Sequence, residues 1–262
     1  MVDIELLDQD KKQGTMALAV KDSNPVFVNT LRRTVIDNVP TMAIEEVEFA
    51  SNGSILYDEI IAHRLGLIPL STDLKTYELR EECKCKGEGC ARCTVQLSLK
   101  AKGPCIVKAG DLQSKDPKVV PVYPEIPIVK KKKNQELEIL ATAQLGFGKE
   151  HAKWVPGNVW YTYKPSISVN NSSKEMDNYK DKYPPQIFDK NGKIDKKLIT
   201  EPETIDACDG ICDDIIKVEY DNTAFIFYVE SYGQLSCKDI ILKALERLDA
   251  KLDNMKAEVK KL

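Results

Sequence analysis

The sequence has no long apolar run, almost no histidine and no surplus of positive charge. Its longest apolar stretches, such as Ala224 to Val229, fall far short of the roughly 18–20 residues needed to cross a bilayer, so no membrane span is expected. Lysine and arginine number 38 against 41 aspartates and glutamates, a net charge of -3, and a chain so balanced is not an electrostatic binder of nucleic acid. Direct binding of DNA is not expected. His63 and His151 are the only histidines, and neither stands in a nucleophile or base constellation. Gly146-Phe147-Gly148-Lys149 lacks the spacing of a phosphate-binding loop. No D-x-D-G-D metal cradle occurs, and Asp213-Asp214 has no supporting ligands. Catalysis by this chain alone is therefore not expected.

What is present suits an ordinary folded protein. With 262 residues, 42% of them hydrophobic, the chain can bury a sizeable core. The start, Met1-Val2-Asp3-Ile4-Glu5, has no basic, apolar leader, so a cytoplasmic location is expected. Alternation of Met16, Leu18 and Val20 predicts the second of a strand pair, and Ser23-Asn24-Pro25 then opens a helix that Pro40 ends. Val95, Leu97 and Leu99, and likewise Leu137, Ile139, Ala141 and Ala143, alternate as half-buried antiparallel strands do. A short helix is predicted from Asp58 to Leu65, stopped by Gly66. The run Lys130 to Lys133 reads as a solvated hairpin tip.

Residues 171–217 hold eight lysines, eleven acidic residues and no arginine, with Pro184-Pro185 and Asn191-Gly192 turns, and read as a small insertion with a weak core. Ile216, Val218 and Tyr220, a turn at Asp221-Asn222, and Phe225, Phe227 and Val229 then predict a hairpin.

Two motifs carry chemistry. Cys83, Cys85, Cys90 and Cys93 have the spacing C-x-C-x4-C-x2-C on a glycine-containing loop, which suits four thiolates around one structural Zn²⁺. Free thiols or two short disulfides are the alternatives. Cys208 and Cys212 alone are too few for a cluster. At the C-terminus, Ser236 and Asp239 form a variant capping box, after which Ile241, Leu245, Leu248, Leu252, Met255, Val259 and Leu262 recur at alternating spacings of four and three. That is a heptad seam, narrower than the stripe of an ordinary core helix.

As an ordered set, several segments resemble the alpha-like assembly subunits of DNA-directed RNA polymerases. These are Asn24 to Arg33 followed by Val39-Pro40, Tyr57 to Leu70, Gly148 to Pro156, and Tyr228 to Gly233 leading into the last helix. The likeness is greatest to the archaeal form of that subunit, a counterpart of the eukaryotic third-largest subunit and of bacterial alpha. It implies an α+β chain: a discontinuous helix-and-sheet dimerisation domain (1–40 and 218–262), an inserted mainly-β domain holding the cysteine cluster (41–170), and a small degenerate ferredoxin-like insertion (171–217). It implies a non-catalytic scaffold that pairs with the small alpha-like subunit L through Phe27, Leu31 and Val35 and through Ile241, Leu245, Leu248, Leu252 and Met255. Subunits N and P and the second-largest subunit are its further implied partners. Related archaeal insertions hold iron–sulfur clusters through C-x2-C-x2-C-x3-C-P. Here Ser173, Met176, Tyr179 and Tyr183 occupy one set of those positions, and Pro202, Ile205, Cys208 and Cys212 the other. A cluster is expected to be absent, with Cys208 and Cys212 as vestiges. An iron–sulfur electron carrier and a homodimeric structural protein are the alternative readings.

Overall fold

A computed structural model describes residues 2–261; Met1 and the last seam position, Leu262, lie outside the described residues. The fold is α+β with antiparallel sheets. In chain order run β1 (Asp3–Asp10), β2 (Thr15–Lys21), α1 (Pro25–Asn38), β3 (Pro40–Asn52), α2 (Asp58–Gly66), β4 (Thr94–Lys102), β5 (Cys105–Lys108) and β6 (Gln113–Ser114). Then follow β7 (Pro127–Lys131), β8 (Glu136–Phe147), β9 (Gly157–Val169), α3 (Met176–Tyr179), α4 (Pro202–Asp206), β10 (Ile216–Ser231) and α5 (Cys237–Val259). The chain divides into two compact units: Met1–Glu5 with Ala19–Pro25 and Thr162–Ile226, and Leu6–Leu18 with Val26–Tyr161 and Phe227–Leu262.

In the larger unit, one sheet has the order β3-β8-β4-β6 and a small one pairs β5 with β7. The register places Val95 opposite Ala143, Leu97 opposite Ala141 and Leu99 opposite Ile139. Residues opposite one another share a face, so the two alternating patterns seen in the sequence coincide and form one wall of the core. Ile44 on β3, opposite Ala143, continues that wall, and Met42, Ile61, Leu65 and Ile128 belong to the same core. A bulge in β3 between Ile44 and Glu46 breaks that strand's alternation. Beyond it, Lys153 ion-pairs with Glu45, donates to the Ile44 carbonyl at 3.1 Å and sits 4.5 Å from the centre of the Trp154 ring.

The segment that superficially suggested a phosphate loop is a packing corner. A Cβ on Gly146 would lie 2.4 Å from the Trp154 ring, and one on Gly148 would lie 2.0 Å from the Ile36 carbonyl oxygen at the end of α1. Backbone oxygen cannot move aside cheaply, so Gly148→Ala is expected to cost about 2 kcal/mol or more and lower Tm by about 5 °C in a thermal melt.

The smaller unit has its own core of Ile167, Tyr183, Ile187, Ile194, Ile199, Ile205, Cys208, Ile215 and Ile216. Of the positions where relatives would carry cluster ligands, Tyr183 and Ile205 are buried in this core and Met176, Tyr179 and Cys212 pack against it.

Three local expectations need correction. The predicted hairpin over 216–229 is one uninterrupted strand, β10. It lies between β2 and β9 in a sheet ordered β1-β2-β10-β9, so both of its edges have partners and the Asp221-Asn222 turn signal loses. Asp221 instead accepts from the Thr223 amide and hydroxyl at 2.8 and 2.7 Å. Gly66 does not stop α2; it is the last helical residue, and Leu67 follows at φ -86°, ψ -3° without a left-handed cap. The lysine run is not uniformly solvated.

Lys131, at the end of β7, is only 2% exposed, and its ammonium has no partner. Burial lowers its pKa below the ordinary lysine value. Between that depressed value and the unfolded value near 10.4 the unfolded chain binds more protons, so this residue's contribution makes stability rise with pH through that window. Lys131→Met is expected to raise stability by about 1–3 kcal/mol at neutral pH and to flatten that alkaline rise in denaturant titrations.

Candidate functional site

The cysteine loop between α2 and β4 is built by local backbone geometry. Lys86, Gly87 and Gly89 take left-handed backbone at φ 53°, 86° and 91°, and successive turns bring Lys86 N to the Cys83 carbonyl and Cys93 N to the Cys90 carbonyl, at 3.0 and 2.9 Å. Gly87 and Gly89 meet that requirement without the strain of a side chain. Arg80 fastens the loop to the sheet, donating to the Gly87 carbonyl at 2.8 Å, to Glu46 at 3.0 Å and to Gln144 at 3.1 Å.

The four sulfurs lie within 4.8 Å of one another. Cys83 to Cys90 and Cys85 to Cys93 are each 3.6 Å, and Cys93 to Cys90 is 3.9 Å. A disulfide needs about 2.05 Å, so these are separate thiols. Four sulfurs at about 2.3 Å from a tetrahedral centre stand about 3.8 Å apart, and the three distances bracket that value. The residues therefore fit a divalent metal such as zinc. The amide hydrogen bond from Gly89 is the largest cause of a lowered Cys85 pKa, whereas burial pushes the Cys93 thiol up. With all four donors supplied by protein, a bound ion would have no open position for substrate, and its chemistry would be structural.

The predicted seam on α5 is an open surface. The helix contacts its own unit through a different stripe, Cys237, Ile240 and Ala244, all buried. Ile241, Leu245 and Leu248 are half-buried, and Leu252, Met255 and Val259 are 48%, 66% and 57% exposed. Ser236 caps the start, accepting from the Asp239 amide at 3.2 Å and donating to its carboxylate at 2.6 Å. Arg247 lies 4.8 Å from the Phe147 ring centre, and Lys251 donates to Asn38 at 2.6 Å, which ties α5 to the end of α1. On α1, Leu31 and Val35 are buried within the chain and Phe27 is half-buried.

Cys208 is fully buried and Cys212 half-buried in the smaller unit's apolar core. Among the described residues, the grouping of His, Cys, Asp and Glu with metal-site spacing is the loop tetrad. An apolar surface that the sequence reading did not single out surrounds α2, where Ile55, Tyr57, Ile60 and Leu67 are 83%, 77%, 41% and 49% exposed. Its signal was available: a short helix with apolar residues on more than its core stripe.

The family model described as the RNA polymerase Rpb3/RpoA insert domain matches residues 43–156. Over 270 aligned residues the chain is 38% identical to DNA-directed RNA polymerase subunit Rpo3 of Pyrococcus furiosus, covering 100% of this chain and 99% of that relative. The chain belongs to the Rpo3 family. The protein of the same name in Methanosarcina acetivorans is 36% identical, with 98% and 97% coverage, and that of Methanothermobacter thermautotrophicus 37%, with 94% and 96%. The insert-domain match begins in β3 and runs through α2, the cysteine loop and β4 to β8, so the metal-competent tetrad falls inside it.

Proposed function

We propose that this chain is the alpha-like assembly subunit of an archaeal DNA-directed RNA polymerase, a nucleotidyltransferase complex in whose chemistry the chain itself takes no catalytic part. The observation that carries this reading is the open seam of α5, where three large apolar side chains in heptad register stand in solvent while a separate stripe holds the helix to its body. Full-length likeness to Rpo3 subunits supports it. The seam pairs with the small alpha-like subunit L, and α1 acts mainly by position, because Leu31 and Val35 are already buried.

In this reading residues 1–40 and 218–262 form the dimerisation platform, 41–170 the inserted β domain, and 171–217 a ferredoxin-like remnant that holds no cluster. The exposed surface around α2 receives further polymerase subunits, among them N, P or the second-largest. DNA is reached only through the complex, in the cytoplasm. Zinc in the cysteine tetrad stiffens a loop of low apolar content.

Affinity purification of the tagged chain from its host, followed by mass spectrometry, tests the assignment. Polymerase subunits, subunit L foremost, are expected to co-purify in fixed ratio; recovery of the chain without them refutes it. Iron content and absorbance near 400 nm, measured on anaerobically purified protein, test the remnant. A stoichiometric cluster would overturn that part alone.

A further inference from the structure

The C-terminal half of α5 carries more information than apolar spacing. From Asp249 to Val259 every residue is exposed. With Leu245, Leu252 and Val259 as a positions and Ile241, Leu248 and Met255 as d positions, the flanking charges are fixed: Lys251 and Glu258 at g, Asp249 and Lys256 at e.

Two copies side by side in parallel would set Lys251 against Lys256 of the other, which is repulsive. Antiparallel helices instead oppose g to g and e to e, and the outcome depends on register. Shifting the crossing by one heptad layer toward the N-terminus pairs Lys251 with its own copy and Asp249 with its own copy. Shifting it toward the C-terminus pairs Glu258 with itself and Lys256 with itself. Between these lies one register, in which Leu252 packs on Met255 and Leu248 on Val259. There Lys251 meets Glu258 and Asp249 meets Lys256, each twice by symmetry. Every flanking pair is then attractive. In the free chain Lys256 pairs with Asp253, Glu258 with Lys261 and Lys251 with Asn38, so the pairs between copies share or replace these contacts.

We infer that the unpartnered chain forms an antiparallel homodimer through the C-terminal half of α5, in this one register. The inference rests on the reading of α5 as an assembly seam and adds that the seam complements itself. The homodimer is a holding state that covers Leu252, Met255 and Val259 until another helix replaces the second copy. The interface is small, so a dissociation constant of about 10 μM is expected for so few layers.

Analytical ultracentrifugation of the full chain across about 1–100 μM, a range bracketing that constant, tests it. The wild type is expected to pass from monomer to dimer. Lys256→Glu, which faces Asp249 of the other copy twice, should weaken dimerisation about tenfold or more. Asp249→Lys combined with Lys256→Glu restores opposite charges and should recover most of the affinity. A wild type that stays monomeric throughout, or a dimer that ignores both variants, overturns the inference. Capture of subunit L, measured separately on the same proteins, keeps the two ideas apart. A monomer that still binds L sinks the homodimer alone, whereas a homodimer that never binds L sinks the assembly reading.

Discussion

Lysine in place of both Leu252 and Met255 is expected to abolish stable pairing with subunit L while leaving the chain's own fold and melting temperature almost unchanged. The separation of effects follows from where the side chains sit. Leu252 and Met255 are 48% and 66% exposed, whereas the helix is anchored by Cys237, Ile240 and Ala244. Burying one large apolar side chain at an interface contributes about 1.5–3 kcal/mol. Losing two such side chains, and placing ammonium groups where a dry seam should close, removes about 3 kcal/mol or more, a hundredfold or greater fall in affinity. Leu245 and Leu248 are poorer choices, since both are half-buried in the free chain and lysine there would confound pairing with folding. Size-exclusion of co-expressed proteins reads the result. Normal recovery of the mutant with subunit L would show that the seam is not the interface.

The parts of this molecule legible in its sequence are those governed by short-range periodicity. The seam of α5 could be read because heptad spacing depends on one helix alone. The paired strands around Leu97 and Ala141 could be read because alternation reports burial directly. The stripe of Ile240 and Ala244 escaped notice, being short and containing a small residue, although it is what anchors the helix. Failures came where long-range pairing overrode a local signal. Asp221-Asn222 is a good turn in isolation, but β10 has partners on both sides, and a reversal there would forfeit backbone hydrogen bonds along two edges. Lys131 was hidden by the company of three other lysines. Period-two geometry puts it on the face of buried Val129, so its strand context, not its charge, decides its position. The cysteine spacing identified a metal-competent set, but the choice between thiols, disulfides and a tetrahedral site needed the sulfur distances, which depend on how Lys86, Gly87 and Gly89 curl the loop.

Serine at both Cys85 and Cys90 is expected to reduce bound zinc from one ion per chain to almost none and to unlock the loop without unfolding the sheet beneath it. The pair is chosen because it takes one thiol from each of the two closest sulfur contacts, Cys83 with Cys90 and Cys85 with Cys93. The remaining Cys83 and Cys93 cannot complete a tetrahedral shell. Apparent binding free energies for structural zinc in small peptides are about 10–16 kcal/mol, far more than the Arg80 contacts and the single Glu78 to Arg92 backbone bond can supply by themselves. The sheet survives because its core of Leu97, Leu99, Ile139 and their neighbours is closed independently of the loop. Metal analysis by mass spectrometry should show the loss, and limited proteolysis should show new cleavage between Arg80 and Arg92 with the rest of the β domain still protected. Acid should mimic the substitution in the wild type, since the ligands bind as thiolates and protons compete for them as pH falls. Unchanged metal content in the double variant would remove the tetrad as the site. Loss of metal with a loop that stays protected would instead assign its rigidity to Arg80, which reaches Gly87, Glu46 and Gln144 at once.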